Sequence, residues 1–345
     1  MTSTTLRHKN VLDNEQHMNE CTSDYSLTLS VVVPVYRSAQ TLRELYSRIT
    51  LAIEPIAQDF ELILVEDCGG DDSWEVIQRI AEKDGRVRGI RLSRNYGQHN
   101  ALLCGIRAAR YDVIVTMDDD LQNPPEEIPK LLDKLSEGYD VVYGAPEREQ
   151  HGFLRDWASR ITKYMLQSAM GAETARKVSA FRAFRTDIRR AFESYRGPLV
   201  SIDVLLTWGA SRFASVTVRH EPRKMGASGY TLRKLIIHAI NMMTGFSTMP
   251  LQVASIIGFI FAIFGTLLLG YVVVRYFASG GSVPGFTFLA SIIAIFSGVL
   301  LFALGIIGEY MARMYLRTMD RPPYVIHSQT DGTKSFKEAR DGNPD

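Results

Sequence analysis

Two long apolar segments near the C-terminal end constrain the fold more than any other feature of this chain. They are Leu251–Val274 and Phe286–Gly308. As a helix the first reaches about 36 Å, and the hydrocarbon core of a bilayer is about 30 Å thick. Because the link between them is short, the sequence predicts a transmembrane hairpin within residues 249–310, with helices at about 250–275 and 285–309. Two buried helices of a soluble domain are the alternative.

The charges beside the hairpin predict its orientation. Basic residues flank the pair on both outer sides: Arg223, Lys224, Arg233 and Lys234 before it, and Arg313, Arg317 and Arg321 after it. The link carries only Arg275, at its edge. Because lysine and arginine are enriched on the cytoplasmic side of membrane spans, we expect both termini in the cytoplasm.

The rest of the chain divides into four parts. Residues 1–26 are polar and predict a disordered N-terminal tail. Residues 27–229 predict one α/β domain. Residues 230–247 have an apolar helical stripe, which favours an amphipathic helix in the membrane interface over an ordinary core-facing helix. Residues 311–345 predict a cytoplasmic tail, polar and mobile after Arg321.

Within residues 27–229, short β-branched runs alternate with segments of helical spacing. This alternation predicts a Rossmann-like, mostly parallel sheet with right-handed crossovers. No GxGxxG follows the first strand and no P-loop is present, so the sequence does not favour a dinucleotide site or ATP-driven chemistry. The net charge of +1 does not favour nucleic-acid binding. The three scattered cysteines predict neither a disulfide framework nor a zinc site.

Three consecutive aspartates follow one predicted central strand. Val113–Met117 is apolar apart from one threonine, and Asp118, Asp119 and Asp120 come directly after it. Open α/β sheets bind ligands at the carboxyl ends of their strands. In an extended chain Asp118 and Asp120 point the same way and Asp119 the other, so the outer pair suits Mg²⁺ or Mn²⁺. A simple acidic turn is the alternative.

Four motifs, in order and spacing, resemble those of family 2 glycosyltransferases with a GT-A fold. They are Val32–Tyr36, Val65–Asp67, Arg94–Gly97 and Asp118–Glu126. The last is similar to the DxDLQxPPE run of polyprenyl-phosphate glycosyltransferases. These include dolichol-phosphate mannose synthases, bactoprenol glucosyltransferases and undecaprenyl-phosphate aminoarabinose-type transferases, and Arg94–His99 is most similar to the last group. The resemblance covers residues 29–325 and includes the hairpin.

The resemblance implies roles for individual residues. The donor nucleotide sugar would lie against Pro34, Tyr36, Asp67, Arg94, Gly97 and Asp118. A Mg²⁺ or Mn²⁺ ion would be held by Asp120 and Asp118, with Gln122 completing its shell. The acceptor phosphate would be held among Arg148, Arg155, Arg160 and Arg182. Asp118, Asp120 and Arg155 would then be the catalytic residues.

The implied reaction is a metal-dependent, inverting transfer from a nucleotide sugar, UDP-linked in this family, to undecaprenyl phosphate at the bacterial inner membrane. Its product is a polyprenyl-monophosphate sugar for cell-envelope glycan or lipid modification. The acceptor phosphate is already anionic, so the reaction needs no strong general base. A membrane polysaccharide synthase of the same fold and a non-catalytic membrane scaffold are the alternatives. Small residues in the spans, such as Gly258 and Ala262, also allow a homo-oligomer.

Several positions depart from the resemblance, among them Asp119 and the stretch 66–69. Asp119 stands where these relatives often carry alanine, and Glu66–Gly69 replaces the common Asp-Asp-Gly-Ser. His99 suits either a ligand contact or structural packing at a helix start.

Overall fold

The computed structural model describes residues 27–146, 177–197, 199–221, 248–278, 285–331 and 334–335. The strands are β1 (Thr28–Val35), β2 (Asp59–Glu66), β3 (Val87–Leu92), β4 (Val113–Thr116), β5 (Val141–Pro146), β6 (Arg182–Arg185), β7 (Phe213–Val218), β8 (Ile326–Asp331) and β9 (Lys334–Ser335). The α-helices are α1 (Leu42–Ile53), α2 (Ser73–Ala81), α3 (Gln98–Ala108), α4 (Ile128–Ser136), α5 (Ile202–Leu206), α6 (Met249–Ala278) and α7 (Phe286–Thr318). Short 3₁₀ turns cover Pro125–Glu127 and Thr186–Ala191.

These strands form one mixed sheet in the order β7-β5-β6-β4-β1-β2-β3-β8-β9. Its centre is parallel, because β1 pairs in parallel with both β2 and β4, and β2 pairs in parallel with β3. Strand β6 runs antiparallel to β4 and β5, and β8 runs antiparallel to β3. The predicted α/β fold class, with a parallel centre of the sheet, is confirmed. The parallel centre brings the carboxyl ends of β1, β2 and β4 to one edge.

The sheet is covered on both faces, which explains its uninterrupted apolar strands. Alternate residues of β1 point to opposite sides: Val31, Val33 and Val35 pack with α1, α2 and α4, whereas Val32 packs with α3 and α5. Central parallel strands that are buried on both faces read as continuous hydrophobic runs. The two apolar layers hold the edge of the sheet rigidly in place.

Helix α3 packs closely on the sheet through Gly105. A Cβ at this position would overlap Cγ1 of Val32 and lie 3.1 Å from Cγ2 of Val65. We therefore expect Gly105→Ala to lower the free energy of unfolding by about 1–3 kcal/mol, the range for overpacking a core. Thermal unfolding in detergent checks this. Val32→Ala removes the methyl group that clashes. The double variant Val32→Ala with Gly105→Ala should therefore lose less unfolding free energy than the two single variants lose together. Losses that simply add would contradict the explanation.

Helices α6 and α7 are both long and apolar enough to cross a membrane. Their most apolar stretches are not buried by the other residues that the structure describes. The helices contact one another through Phe261 and Phe296, whose rings meet edge to face at 5.6 Å, with Gly265 beside Phe296. Helix α7 continues past the predicted end at residue 309 to Thr318, because no helix-breaking residue intervenes and Glu309 pairs with Arg313 one turn later.

The segment after the hairpin differs from the mobile tail that the sequence predicted. Residues 326–331 form β8, which pairs with β3, and the backbone N–H of Ser93 donates to the carbonyl of Val325 at 2.9 Å. Tyr324 packs against the α3 side of the core. Composition gave no sign of this strand because a strand near the border of a sheet is half exposed and tolerates polar residues. Pairing with β8 also covers an otherwise open edge.

Two predicted segments lie outside the described residues. They are the N-terminal tail at residues 1–26 and the interfacial helix at residues 230–247. The predicted boundaries of both stay predictions.

Candidate active site

A cavity of about 250 Å³ opens where β1, β2 and β4 end. Its lining residues come from these strand ends and from the turn before α3: Pro34, Val35, Tyr36, Asp67, Asn95, Gly97, Gln98, Asp118, Asp119 and Asp120. The structure thus brings together most of the residues expected at the donor, namely Pro34, Tyr36, Asp67, Gly97 and Asp118. A mainly polar cavity with several convergent carboxylates suits a charged, hydrogen-bonding ligand.

The three aspartates after β4 point to different partners. One carboxylate oxygen of Asp118 accepts a hydrogen bond from Nε2 of Gln98 at 2.5 Å. Asp119 turns to the opposite wall, where Oδ2 accepts from the backbone N–H of Tyr36 at 3.0 Å. Asp120 accepts from the backbone N–H of Gln122 at 3.1 Å. Strand β4 ends at Thr116 and the chain turns at Asp119 and Asp120, so the alternation expected of an extended chain does not apply, and all three aspartates line the cavity.

Asp67 holds the turn that forms the second wall. Its two carboxylate oxygens accept from the backbone N–H groups of Tyr96 and Gly97, each at 2.7 Å. Burial raises the pKa of Asp67, while these two donors lower it. Gly97 has φ +92°, a conformation that L side chains rarely adopt, and it directly precedes α3. Asp67 thus fixes the backbone of this wall as well as lining the cavity.

The carboxylates fit a metal that is shared with a ligand. Within the described ranges, no three histidine, cysteine or acidic side chains are placed to hold a metal by themselves. Mg²⁺ commonly takes one or two protein carboxylates and completes its shell with water and substrate phosphate oxygens. Asp118 and Asp120, both lining the cavity, supply such hard oxygen ligands. The donor set therefore fits a divalent cation that binds together with a diphosphate.

Two predicted residues of this region lie apart from the cavity lining. Arg94 is exposed, and its guanidinium stacks over the ring of Tyr96 at 4.8 Å. Gln122 contributes its backbone: its N–H donates to Asp120, and its carbonyl accepts from the N–H of Glu221 at 2.8 Å. Gln122 is not among the residues that line the cavity, and its predicted place in the metal shell stays a prediction.

Arg182 is buried inside the domain, which differs from its predicted contact with a lipid phosphate. Its guanidinium forms an ion pair with Asp203, and its Nε donates to Oγ1 of Thr116 at 3.1 Å. The side chain of Arg182 is only 2% exposed and that of Asp203 14%. The charge of Arg182 is therefore neutralised by a neighbour in the core. The other three arginines, Arg148, Arg155 and Arg160, lie outside the described residues.

Sequence reasoning did not assign Gln98 and Asn95 to the site. Asn95 lies inside the motif Arg94–Gly97 and Gln98 comes directly after it. Their position in the turn before α3 could therefore have assigned them to the site. His99, by contrast, accepts a 3.4 Å hydrogen bond from the backbone N–H of Ile202. This contact with α5 favours the structural interpretation of His99.

Comparisons with known proteins indicate the family of this chain. Residues 30–192 match the family described as glycosyl transferase family 2. The undecaprenyl-phosphate 4-deoxy-4-formamido-L-arabinose transferase of Pseudomonas fluorescens (strain SBW25) is 35% identical over 301 residues, covering 86% of this chain and 88% of the relative. The enzyme of that name from Enterobacter sp. (strain 638) is 36% identical, covering 86% of this chain and 92% of the relative.

Among solved structures, mannosyl-3-phosphoglycerate synthase from Rubrobacter xylanophilus is similar at a TM-score of 0.47 and 16% identity, over 66% of this chain and 75% of that one. The sequence relatives match nearly the whole length of the chain, including the hairpin. On the strength of that match, the chain belongs to glycosyl transferase family 2.

Proposed function

We propose that this enzyme transfers a sugar from a UDP-linked donor to undecaprenyl phosphate, with inversion at the anomeric carbon. The observation that carries the proposal is the acidic cavity at the ends of β1, β2 and β4, in a chain that also has two membrane-length helices. A soluble donor and a lipid acceptor need such a combination. The relatives named above are transferases to undecaprenyl phosphate.

The sheet itself supports one orientation of the hairpin. Strands β1–β7 precede the hairpin in the chain and β8 follows it, yet β8 pairs directly with β3. Both flanks of the hairpin therefore lie on the same side of any membrane it crosses. The basic residues on these flanks favour the cytoplasm, where nucleotide sugars are available to the cavity. We propose the bacterial inner membrane as the location.

The residues of the cavity have different proposed roles. Asp118 and Asp120 would hold Mg²⁺ or Mn²⁺, which when bound offsets the negative charge of the departing diphosphate. Asp67 and Gly97 shape the wall against which the nucleotide would lie. The acceptor phosphate is an anionic oxygen nucleophile, so the chain has to position it and needs no strong base. Inversion follows from a single direct displacement at the anomeric carbon.

Arginines are suited to hold the acceptor phosphate, because the guanidinium fork matches phosphate oxygens. Arg148, Arg155 and Arg160 remain our candidates, on the sequence alone. Arg155→Ala is expected to lower kcat/KM for the lipid acceptor by about 10- to 100-fold, the loss typical of one charge-assisted hydrogen bond. Steady-state kinetics with undecaprenyl phosphate measure this, and unchanged turnover and lipid affinity would remove Arg155 from the acceptor site.

The function is tested by incubating membranes that contain the enzyme with undecaprenyl phosphate and one radiolabelled nucleotide sugar at a time. UDP-4-deoxy-4-formamido-L-arabinose, UDP-glucose and UDP-N-acetylglucosamine form the panel, with Mn²⁺ or Mg²⁺ present. A chloroform-soluble, mild-acid-labile product that carries a single sugar supports the proposal. A polymer would instead indicate a polysaccharide synthase, and no transfer from any donor would indicate a scaffold.

We propose a 4-substituted pentose as the transferred sugar. The support is the name shared by the relatives that match most of this chain, together with the Arg94–His99 motif. A higher kcat/KM for the formamido-arabinose donor than for UDP-glucose is the expected result.

A further inference from the structure

The middle aspartate of the triplet is bonded to the loop between β1 and α1. Oδ2 of Asp119 accepts from the backbone N–H of Tyr36 at 3.0 Å and from the hydroxyl of Ser38 at 2.5 Å. The backbone carbonyl of Asp119 accepts from Oγ1 of Thr41 at 2.9 Å. One residue at the end of β4 is thus bonded three times to the loop between β1 and α1.

This loop is a wall of the cavity. Tyr36 lines the cavity and is 45% exposed. Arg37 has φ +57°, a left-handed conformation that costs a non-glycine residue free energy. Such a conformation persists only where neighbouring contacts enforce it. Asp119 provides the contacts from the β4 side.

The turn after β2 holds the same loop from the other side. Nε of Arg37 donates to the carbonyl of Gly69 at 2.9 Å, and the N–H of Ser38 donates to Oγ of Ser73 at 3.0 Å. A Cβ on Gly69 would lie 2.8 Å from the backbone nitrogen of Arg37, so the two turns touch. The loop is therefore clamped between the ends of β2 and β4, and Asp119 forms the β4 side of that clamp.

We propose that Asp119 is a positioning residue: it sets the β1–α1 wall against which the donor binds, while Asp118 and Asp120 face the metal. This rests on the proposed function, in which the nucleotide sugar occupies the cavity. The alternative is that Asp119 is a third metal ligand. Its bonds to Tyr36 and Ser38 aim its carboxylate at the α1 wall, whereas Asp118 is bonded to Gln98 on the α3 wall.

The test compares Asp119→Ala, Asp119→Asn and Ser38→Ala in the full-length enzyme, with Asp120→Asn as the variant that perturbs the metal. UDP affinity at saturating Mn²⁺ is measured by calorimetry, and the Mn²⁺ dependence of transfer by kinetics. We expect Asp119→Ala to weaken UDP binding and raise the donor KM by about 10- to 100-fold, the loss that one or two hydrogen bonds to a charged group give. The Mn²⁺ concentration for half-maximal rate should stay near that of the parent.

Asp119→Asn should fall between the parent and Asp119→Ala, because an amide oxygen in the place of Oδ2 can still accept from both donors but carries no charge. Ser38→Ala leaves the carboxylate and the N–H of Tyr36 in place, so it gives a mild version of the same effect if Asp119→Ala does not fold. A raised Mn²⁺ requirement in Asp119→Ala, like that of Asp120→Asn, would overturn the proposal in favour of a metal ligand. Unchanged UDP affinity and donor KM would also overturn it.

Amide hydrogen exchange makes the test independent of the reaction. Asp119→Ala should speed exchange in peptides that cover residues 36–41, and Asp120→Asn should not. This result is expected even if the parent enzyme transfers no sugar from any donor, an outcome that would defeat the proposed function alone. Equal protection of residues 36–41 in the parent and in Asp119→Ala would show that the clamp does not depend on this carboxylate.

Discussion

Asp120→Ala is expected to lower the turnover number by about a thousandfold or more, even at saturating Mn²⁺ or Mg²⁺. Asp120 lines the cavity and is tied by its own turn to the N–H of Gln122, so its carboxylate is held at the end of β4. The departing diphosphate needs a cation beside it, and a thousandfold loss corresponds to about 4 kcal/mol of transition-state stabilisation. Initial rates with saturating donor and acceptor measure the effect.

The matched control is Gln122→Ala. Gln122 lies two residues away and uses its backbone for the contacts described, so removal of its side chain should change turnover only a few-fold. Full activity of Asp120→Ala at saturating metal would end the metal assignment of Asp120. A loss of turnover in Gln122→Ala as large as that in Asp120→Ala would show that the glutamine side chain is part of the metal shell.

Replacing Arg182 by alanine is expected to lower the free energy of unfolding by about 3–5 kcal/mol. After the change, Asp203 is still largely buried but has lost its cationic partner. Removing one partner of a buried ion pair destabilises the folded state by this amount, because the other charge is left uncompensated. It also removes the donor to Thr116, which lies on β4 two residues before Asp118. Thermal and denaturant unfolding in detergent measure the loss.

The double variant Arg182→Leu with Asp203→Leu should regain much of the lost stability, because an apolar pair of similar volume often replaces a buried ion pair at little cost. The folded fraction of Arg182→Ala should keep the parent's KM for undecaprenyl phosphate. A stable Arg182→Ala enzyme with weakened lipid affinity would instead place this arginine at the acceptor.

The parts of the fold that sequence predicted well are those encoded by local periodicity. The apolar strands β1, β2 and β4, the aspartates that end β4 and the two membrane-length helices are each visible in a short window of residues. Parallel pairing then places the ends of these strands together whatever lies between them.

The parts that sequence did not predict depend on partners far along the chain. Asp119 finds Ser38 at a separation of 81 residues, and Gly89 of β3 donates to Thr330 at a separation of 241. Arg182 is one of many arginines in its region, and only the position of Asp203 distinguishes a buried ion pair from a phosphate contact. Gln122 belongs to a recognised motif, but a motif does not say whether a residue makes its contacts through its side chain or its backbone.

The pairing of β8 with β3 has a consequence for how the protein is made. The ribosome delivers residues 326–331 only after both apolar helices have been synthesised, so the border of the nascent sheet at β3 stays open until then. A chain that is cut or stalled within the hairpin lacks its anchor and also the strand that seals this border. Maturation of the catalytic sheet is thereby tied to completion of the anchor, and an unanchored fragment presents the open strand edge through which aggregation begins.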